Sequence, residues 1–313
     1  MFVYIGSSRK ISHDLIQYEN LYNNFEFPLL LDSLFYWLYL LAINLGFSFR
    51  LFLIFYLLLV FELLLMSVKN ISKEYFLGKI PTLLIFINCM LFIELFEQST
   101  HFLRQFLACL IILYVSTNKK ISQNKSVFYF ILAVLIHSVS FIYLPFIIIK
   151  IFNLKNFLKF FTLALVVYLF LDLELFYNSK IYRVLVLDYD MADNSDFSST
   201  GLLFVGFGTL LIFVMSVFKK HIIIKYHEII VILFLILLIQ FLPDQFYILK
   251  YRFLMFAYIP VTFMILVSLF LLFRRNYFGL FFLGFLITPL NAHRFYQQLG
   301  EVFEYNLLFI DVF

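Results

Sequence analysis

Charged side chains are scarce in this chain: Asp, Glu, Lys and Arg make up 13% of the 313 residues, where an ordinary soluble domain carries about 25%. The shortage excludes a water-soluble fold, because a globule of this length has too much surface to cover with so few polar groups. Cysteine is nearly absent, and Cys89 and Cys109 both sit inside apolar runs. Without ligand spacing or a pairing pattern they read as small packing residues, not as a metal site or a disulfide. No Walker loop, zinc motif or Gly-x-Ser-x-Gly elbow occurs, so nucleotide and metal chemistry have no sequence support. The net charge of +4 is modest and confined to loops, which argues against a nucleic-acid partner. The N-terminus lacks the basic–apolar–small layout of a cleavable signal. Neither an internal repeat nor a Gly/Ser-rich linker interrupts the chain, so residues 1–313 read as one integral membrane domain.

What fills the chain is apolar. Hydrophobic residues reach 64%, aromatic residues 22%, and the mean hydropathy is +0.99. A spanning helix needs about 20 apolar residues, because about 30 Å of hydrocarbon is crossed at 1.5 Å per residue. Runs of that kind fall at 29–45, 50–68, 80–96, 102–117, 126–150, 157–177, 200–218, 227–243, 253–273 and 276–290. Backbone inside lipid must satisfy its own hydrogen bonds, so the segments are helices. The expected fold is all-α: a polytopic transmembrane bundle of about ten hydrophobic segments, one or more of them broken or re-entrant. Ahead of them, Ile11, Leu15, Tyr18, Tyr22 and Phe25 recur at helical spacing and predict an amphipathic interfacial helix.

Lysine and arginine mark cytoplasmic loops. Lys69, Lys73 and Lys79 form one such loop, Lys119, Lys120 and Lys125 another, and Lys219, Lys220 and Lys225 a third; Arg274–Arg275 closes the series. The loop 178–199 sets two cations against four aspartates, a net −2, and is expected outside. By alternation 97–101, 244–252 and the tail after Pro289 also lie outside. Residues 126–150 break the pattern, with lysines at both ends and His137-Ser138-Val139-Ser140 at the centre. Two short helices meeting near His137 and returning to the cytoplasmic side satisfy both lysine clusters.

Ionisable groups in or beside spans are costly in lipid and mark functional positions. Arg104 starts the fourth span, His137 interrupts the fifth, and Arg252 opens the ninth; on this topology all three share the outer side. Asp14 lies in the amphipathic stretch and Asp32 at the head of the first span, while Glu62 and Glu94 read as packing pairs within the bundle. Each has a plainer reading: the arginines as interfacial anchors, His137 bonded to nearby backbone, Asp14 as solvated surface. The tyrosines and Trp37 read mostly as interfacial belt residues.

Four elements occur in order: Asp14-x-x-x-Tyr18-x-x-x-Tyr22, Leu103-Arg104-Gln105-x-x-Ala108, His137-Ser138-x-Ser140 with Pro145 following, and Arg252-Phe253. Order and spacing resemble the EpsG family of exopolysaccharide polymerases, relatives of the Wzy O-antigen polymerases, over roughly residues 9–275. The chain departs from that pattern in three places, one being Arg9, which is out of register with the arginine the family has before the Asp element. Only about a dozen residues precede Asp14, where the family has one or two spans, and Asp32 precedes Ser33, not proline.

The resemblance implies a metal-independent, cofactor-free enzyme of the bacterial inner membrane with its active site facing the periplasm. It would join oligosaccharide units carried on undecaprenyl pyrophosphate, both donor and acceptor being lipid-linked, with membrane lipid and a chain-length regulator as further partners. On that reading Arg104 and Arg252 neutralise the leaving pyrophosphate. Asp14 or His137 is the general base, or a protonated His137 holds phosphate. Tyr18, Tyr22 and Gln105 line the substrate path, and the 178–199 loop covers the glycan. The alternatives are a lipid-linked sugar flippase, which would call for internal pseudo-repeats, and a membrane acyltransferase modifying surface glycans.

Overall fold

A computed structural model describes residues 13–24, 33–92, 95–96, 99–100, 102–144, 147–148, 195–218, 233, 236–237, 240, 247–272 and 277–301. Every regular element among these residues is helical. The helices are α1 His13–Asn23, α2 Ser33–Asn44, α3 Phe49–Glu74, α4 Lys79–Leu91, α5 Leu103–Thr117, α6 Gln123–Ile136, a 3-10 turn Ser138–Tyr143, α7 Ser195–Phe218, α8 Tyr247–Leu272 and α9 Tyr277–Glu301.

Helix thus occurs at most of the apolar runs. The run 157–177 lies outside the described residues, as does most of 227–243. Among the described residues, α3 alone is both long and apolar enough to cross a bilayer by itself; its 26 residues rise about 39 Å. Its exposed stripe of Leu51, Phe55, Leu58, Leu59 and Met66 is the surface hydrocarbon solvates without cost. The composition and this helix make the chain a membrane protein.

Glu62 lies on that exposed stripe, not in a packing pair. It falls between Leu58, Leu59 and Met66 on one helical face, while Val60 and Leu64 point inward. Glu94 lies outside the described residues. Helix α9 runs through Pro289 and continues to Glu301, beyond the apolar run 276–290. The break at His137 is present: α6 ends at Ile136, and the Ser140 amide donates to the His137 carbonyl, 2.9 Å, to start the tighter 3-10 turn. Helix α7 begins at Ser195, inside the stretch expected as loop; residues 178–194 lie outside the described residues.

Two compact units emerge, one of residues 1–121, 131–140 and 262–313, the other of 122–130 and 141–261. In the first, two tight turns set the helix order. Gly46 has φ +70°, with the Gly46 amide on Ile43 O and Phe47 on Ala42 O, so α2 ends in a Schellman turn. Ser48 then caps α3 by accepting from the Leu51 amide at 3.3 Å. At the far end of α3 Phe76 takes the same left-handed role, φ 55°, with Leu77 N on Ser72 O.

Contacts along these helices give their directions. The Tyr56 hydroxyl donates to Leu103 O at 2.8 Å, and Lys119 Nζ pairs with Glu74 at 3.2 Å. Contact positions rise together along both chains, so α3 and α5 run parallel. Leu84 meets Gly284, Asn88 Nδ2 donates to Thr288 Oγ1 at 2.9 Å, and Phe96 packs on Phe295 at 5.0 Å. Helices α4 and α9 are parallel by the same logic. Gly284 leaves room for this approach: an added Cβ would lie 2.8 Å from Leu84 Cδ1, and the leucine side chain would have to shift. Asn291 Nδ2 donates to Asn88 Oδ1 at 2.9 Å, completing a half-buried polar clasp between the two helices.

The second unit contains a different kind of join. Pro260 lies inside α8, and proline has no N–H to give the carbonyl four residues earlier, that of Phe256. The Tyr143 hydroxyl supplies the missing donor at 2.9 Å, in a buried bond, and its ring packs on Phe256 at 5.7 Å. The 3-10 turn that follows His137 is therefore tied to α8 one turn past Arg252. Tyr143→Phe should cost about 1–3 kcal/mol, because it strands that carbonyl. Pro260→Ala should remove most of the penalty by restoring the helical N–H. Thermal melts of the two single variants and the double variant read the coupling, and additive losses would show that Tyr143 does not serve this carbonyl.

Candidate functional site

Arg104 sits in the first turn of α5, at the end where α3 begins. Tyr56 of α3 is buried and anchors this turn through Leu103 O. The opposite ends of α3 and α5 carry Lys69, Lys73, Lys119 and Lys120, about 20–25 Å of helix rise away. Arg104 thus occupies the end of the bundle remote from the lysine clusters.

The half-buried guanidinium is held by aromatic faces. Its Cζ lies 5.7 Å from the Tyr18 ring centroid and 5.8 Å from that of Tyr36, within cation–π range. Ring faces attract a cation through their quadrupole and so orient the guanidinium. Tyr18 meets Phe35 at 6.3 Å. Phe35 in turn meets Tyr39 at 5.0 Å and Phe52 at 6.0 Å. Three helices, α1, α2 and α3, therefore build the wall behind Arg104.

Tyr22 closes the wall from α1. Its ring packs on Tyr39 at 5.3 Å and Phe52 at 5.6 Å, and its hydroxyl donates to Phe47 O at 2.9 Å. Desolvation raises this phenol above its ordinary pKa, so it remains a donor. The bond ties α1 to the α2–α3 turn and fixes Tyr18 one turn earlier on the same face.

Arg104, Tyr18 and Tyr22 are thus brought into one cluster, with the half-buried Gln105 beside Arg104 in sequence. His137 lies in the same unit, half-buried at the junction of α6 and the 3-10 turn. Asp14 is placed by its backbone in the first turn of α1, one turn before Tyr18; its side chain lies outside the described residues. Arg252 is placed by backbone in α8, in the second unit, and its side chain also lies outside the described residues. Asp32 is outside them altogether.

Sequence reasoning missed Tyr36, Tyr39 and Tyr56, which read as belt residues. All three are buried in protein, whereas Trp37 is 54% exposed as a belt residue should be. The signal was present in the spacing. Phe35 and Tyr39 are four apart, Phe52 and Tyr56 are four apart, and such pairs stack on one helix face. Cys89 and Cys109 are buried as expected. Among the described residues no group of three or more His, Cys, Asp or Glu side chains is arranged to hold a metal ion.

An arginine caged by phenols at one end of a helix bundle suits an anionic group attached to a lipid, with aromatic surface for the sugar or prenyl portion next to it. Comparison with known proteins agrees with the ordered elements that hold these residues: residues 1–297 match the EpsG family. No curated protein and no solved structure matches the chain.

Proposed function

The chain belongs to the EpsG family, a membrane protein of polysaccharide biosynthesis, and from that premise we propose that it polymerises undecaprenyl-pyrophosphate-linked oligosaccharide units on the outer side of the inner membrane. The observation that carries this reading is the Arg104 cage. It lies at the end of α3 and α5 opposite the lysines, and lysines mark the cytoplasmic side. Helix α9 supports the same sidedness, since its parallel run with α4 carries its C-terminal end toward the connection that leads into α5.

In the proposed reaction a hydroxyl of the acceptor glycan attacks the anomeric carbon of the donor glycan. The bond from that carbon to the lipid pyrophosphate breaks, and the pyrophosphate leaves with the electron pair. A leaving group of such charge needs fixed cations in a site of low dielectric. Arg104 supplies one as a rigid fork that matches phosphate oxygens; Arg252 supplies another, assigned on the sequence pattern. Asp14 or His137 takes the proton from the attacking hydroxyl. Tyr18 presents an aromatic face beside the pyrophosphate, Tyr22 holds that face in place, and Gln105 offers an amide to the glycan.

A cell lacking the protein should keep lipid-linked single repeat units and lose long polymer, as read by mass spectrometry of lipid-linked intermediates and by gels of surface polysaccharide. Restoring Asp14→Asn or His137→Ala separates the base candidates: the true base loses about 10²–10⁴-fold in rate. Full polymer from both variants would remove both assignments. Accumulation of units on the cytoplasmic leaflet alone would instead favour a flippase.

A further inference from the structure

Tyr39 stands out among the residues that the sequence did not assign to chemistry. Its side chain is fully buried, at 0% exposure. Phe52 packs against its ring edge-on at 4.8 Å, Phe35 at 5.0 Å, Tyr22 at 5.3 Å and Tyr36 at 6.0 Å. Rings on several sides fix the phenol in one orientation. Yet its hydroxyl has no hydrogen-bond partner among the described residues. Burying a hydroxyl without a partner is unfavourable, and tyrosines inside proteins nearly always find one. Phenylalanine would fill the same space without that penalty.

The surroundings indicate what the hydroxyl is for. Among the described residues, Arg104, Tyr18, Tyr36, Tyr22 and Tyr56 lie in electrostatic reach of it. Tyr36 touches Tyr39 and also lies against the Arg104 guanidinium, so the three form a continuous row. Tyr22 already donates to Phe47 O. A phosphate oxygen drawn to Arg104 would be the acceptor that a fixed O–H in this row can serve.

We propose that Tyr39 is a ligand-binding residue: its hydroxyl donates a hydrogen bond to a phosphate oxygen of the polyprenyl pyrophosphate held by Arg104. This rests on the reading of Arg104 as a pyrophosphate ligand and extends it. The caged cation provides charge, and the phenol, enclosed in the ligand-free protein, provides direction once the phosphate displaces a neighbouring ring such as Tyr36. A hydrogen bond from a neutral donor to a charged acceptor changes affinity by about ten- to a hundredfold.

The test uses the full-length protein in lipid nanodiscs, with undecaprenyl pyrophosphate and undecaprenol as probes. Tyr39→Phe should weaken undecaprenyl pyrophosphate binding about ten- to a hundredfold, leave undecaprenol binding unchanged, and hold or raise the melting temperature of the ligand-free protein. Equal weakening of both lipids with a lower melting temperature would mark a packing role and overturn the proposal. Wild-type affinity in Tyr39→Phe, with binding lost in Arg104→Ala, would overturn the role of Tyr39 and leave the arginine site standing. Wild-type affinity in both variants would place the pyrophosphate elsewhere, and both readings would fall.

Discussion

Arg104→Ala should lower polymer formation by about a hundred- to a thousandfold, the usual loss when one fixed donor to developing negative charge is removed. A guanidinium against Tyr18 and Tyr36 is oriented before substrate arrives, so little reorganisation accompanies departure of the pyrophosphate. Alanine removes both the charge and the fork. Arg104→Lys keeps the charge as a flexible point and loses the bidentate geometry, so it should fall between alanine and wild type. The change also removes a cation–π contact of about 0.5–2 kcal/mol, so the variant must be shown to be folded by its elution profile and melting temperature. The readout is polymer length in cells whose own copy has been deleted. Wild-type lengths from a folded Arg104→Ala protein would remove Arg104 from the mechanism.

Why the arginine is where it is follows from ordinary packing. Tyr56 gives its hydroxyl to Leu103 O, the residue before Arg104, and is itself buried. Tyr22 gives its hydroxyl to the α2–α3 turn. Two phenols, neither of them in contact with substrate in this account, thus register α1, α3 and α5 to one another. In a membrane the hydrophobic effect does not drive helices together, and such polar and close-packed contacts carry the association. The clasp of Asn88, Thr288 and Asn291 does the same for α4 and α9.

Much of this was legible in the sequence, for identifiable reasons. Scarce charge and apolar run length gave a helical membrane protein. Polar residues in a row gave the break at His137, because three of four consecutive side chains there favour solvent or hydrogen bonds over lipid. Arg104 stood out because an arginine at the head of an apolar run has a cost that needs a purpose. Its holders did not stand out. Tyr36 and Tyr39 are compatible with a belt by composition, and only the packing of α1 and α3 on α2 reveals them as interior. Glu62 misled because membrane depth suggests a partner, but helical phase puts it with Leu58, Leu59 and Met66 on the exposed stripe. The bond from Tyr143 to the carbonyl freed by Pro260 joins positions more than a hundred residues apart, and one sequence carries no signal for such a pair.

The other large effect is the appearance of activity itself. Polymerisation from lipid-linked units needs no sugar nucleotide, because the pyrophosphate bond of the donor already carries the driving force. A transporter would move those units without lengthening them, and an acyltransferase would require an acyl donor. Polymerase activity is therefore read by giving the purified protein, in nanodiscs, undecaprenyl-pyrophosphate-linked repeat units and nothing else, then resolving the glycans by length. The account predicts a ladder spaced by one repeat unit, with undecaprenyl pyrophosphate released once per added unit. Single units left unextended by a folded protein that binds them would contradict it.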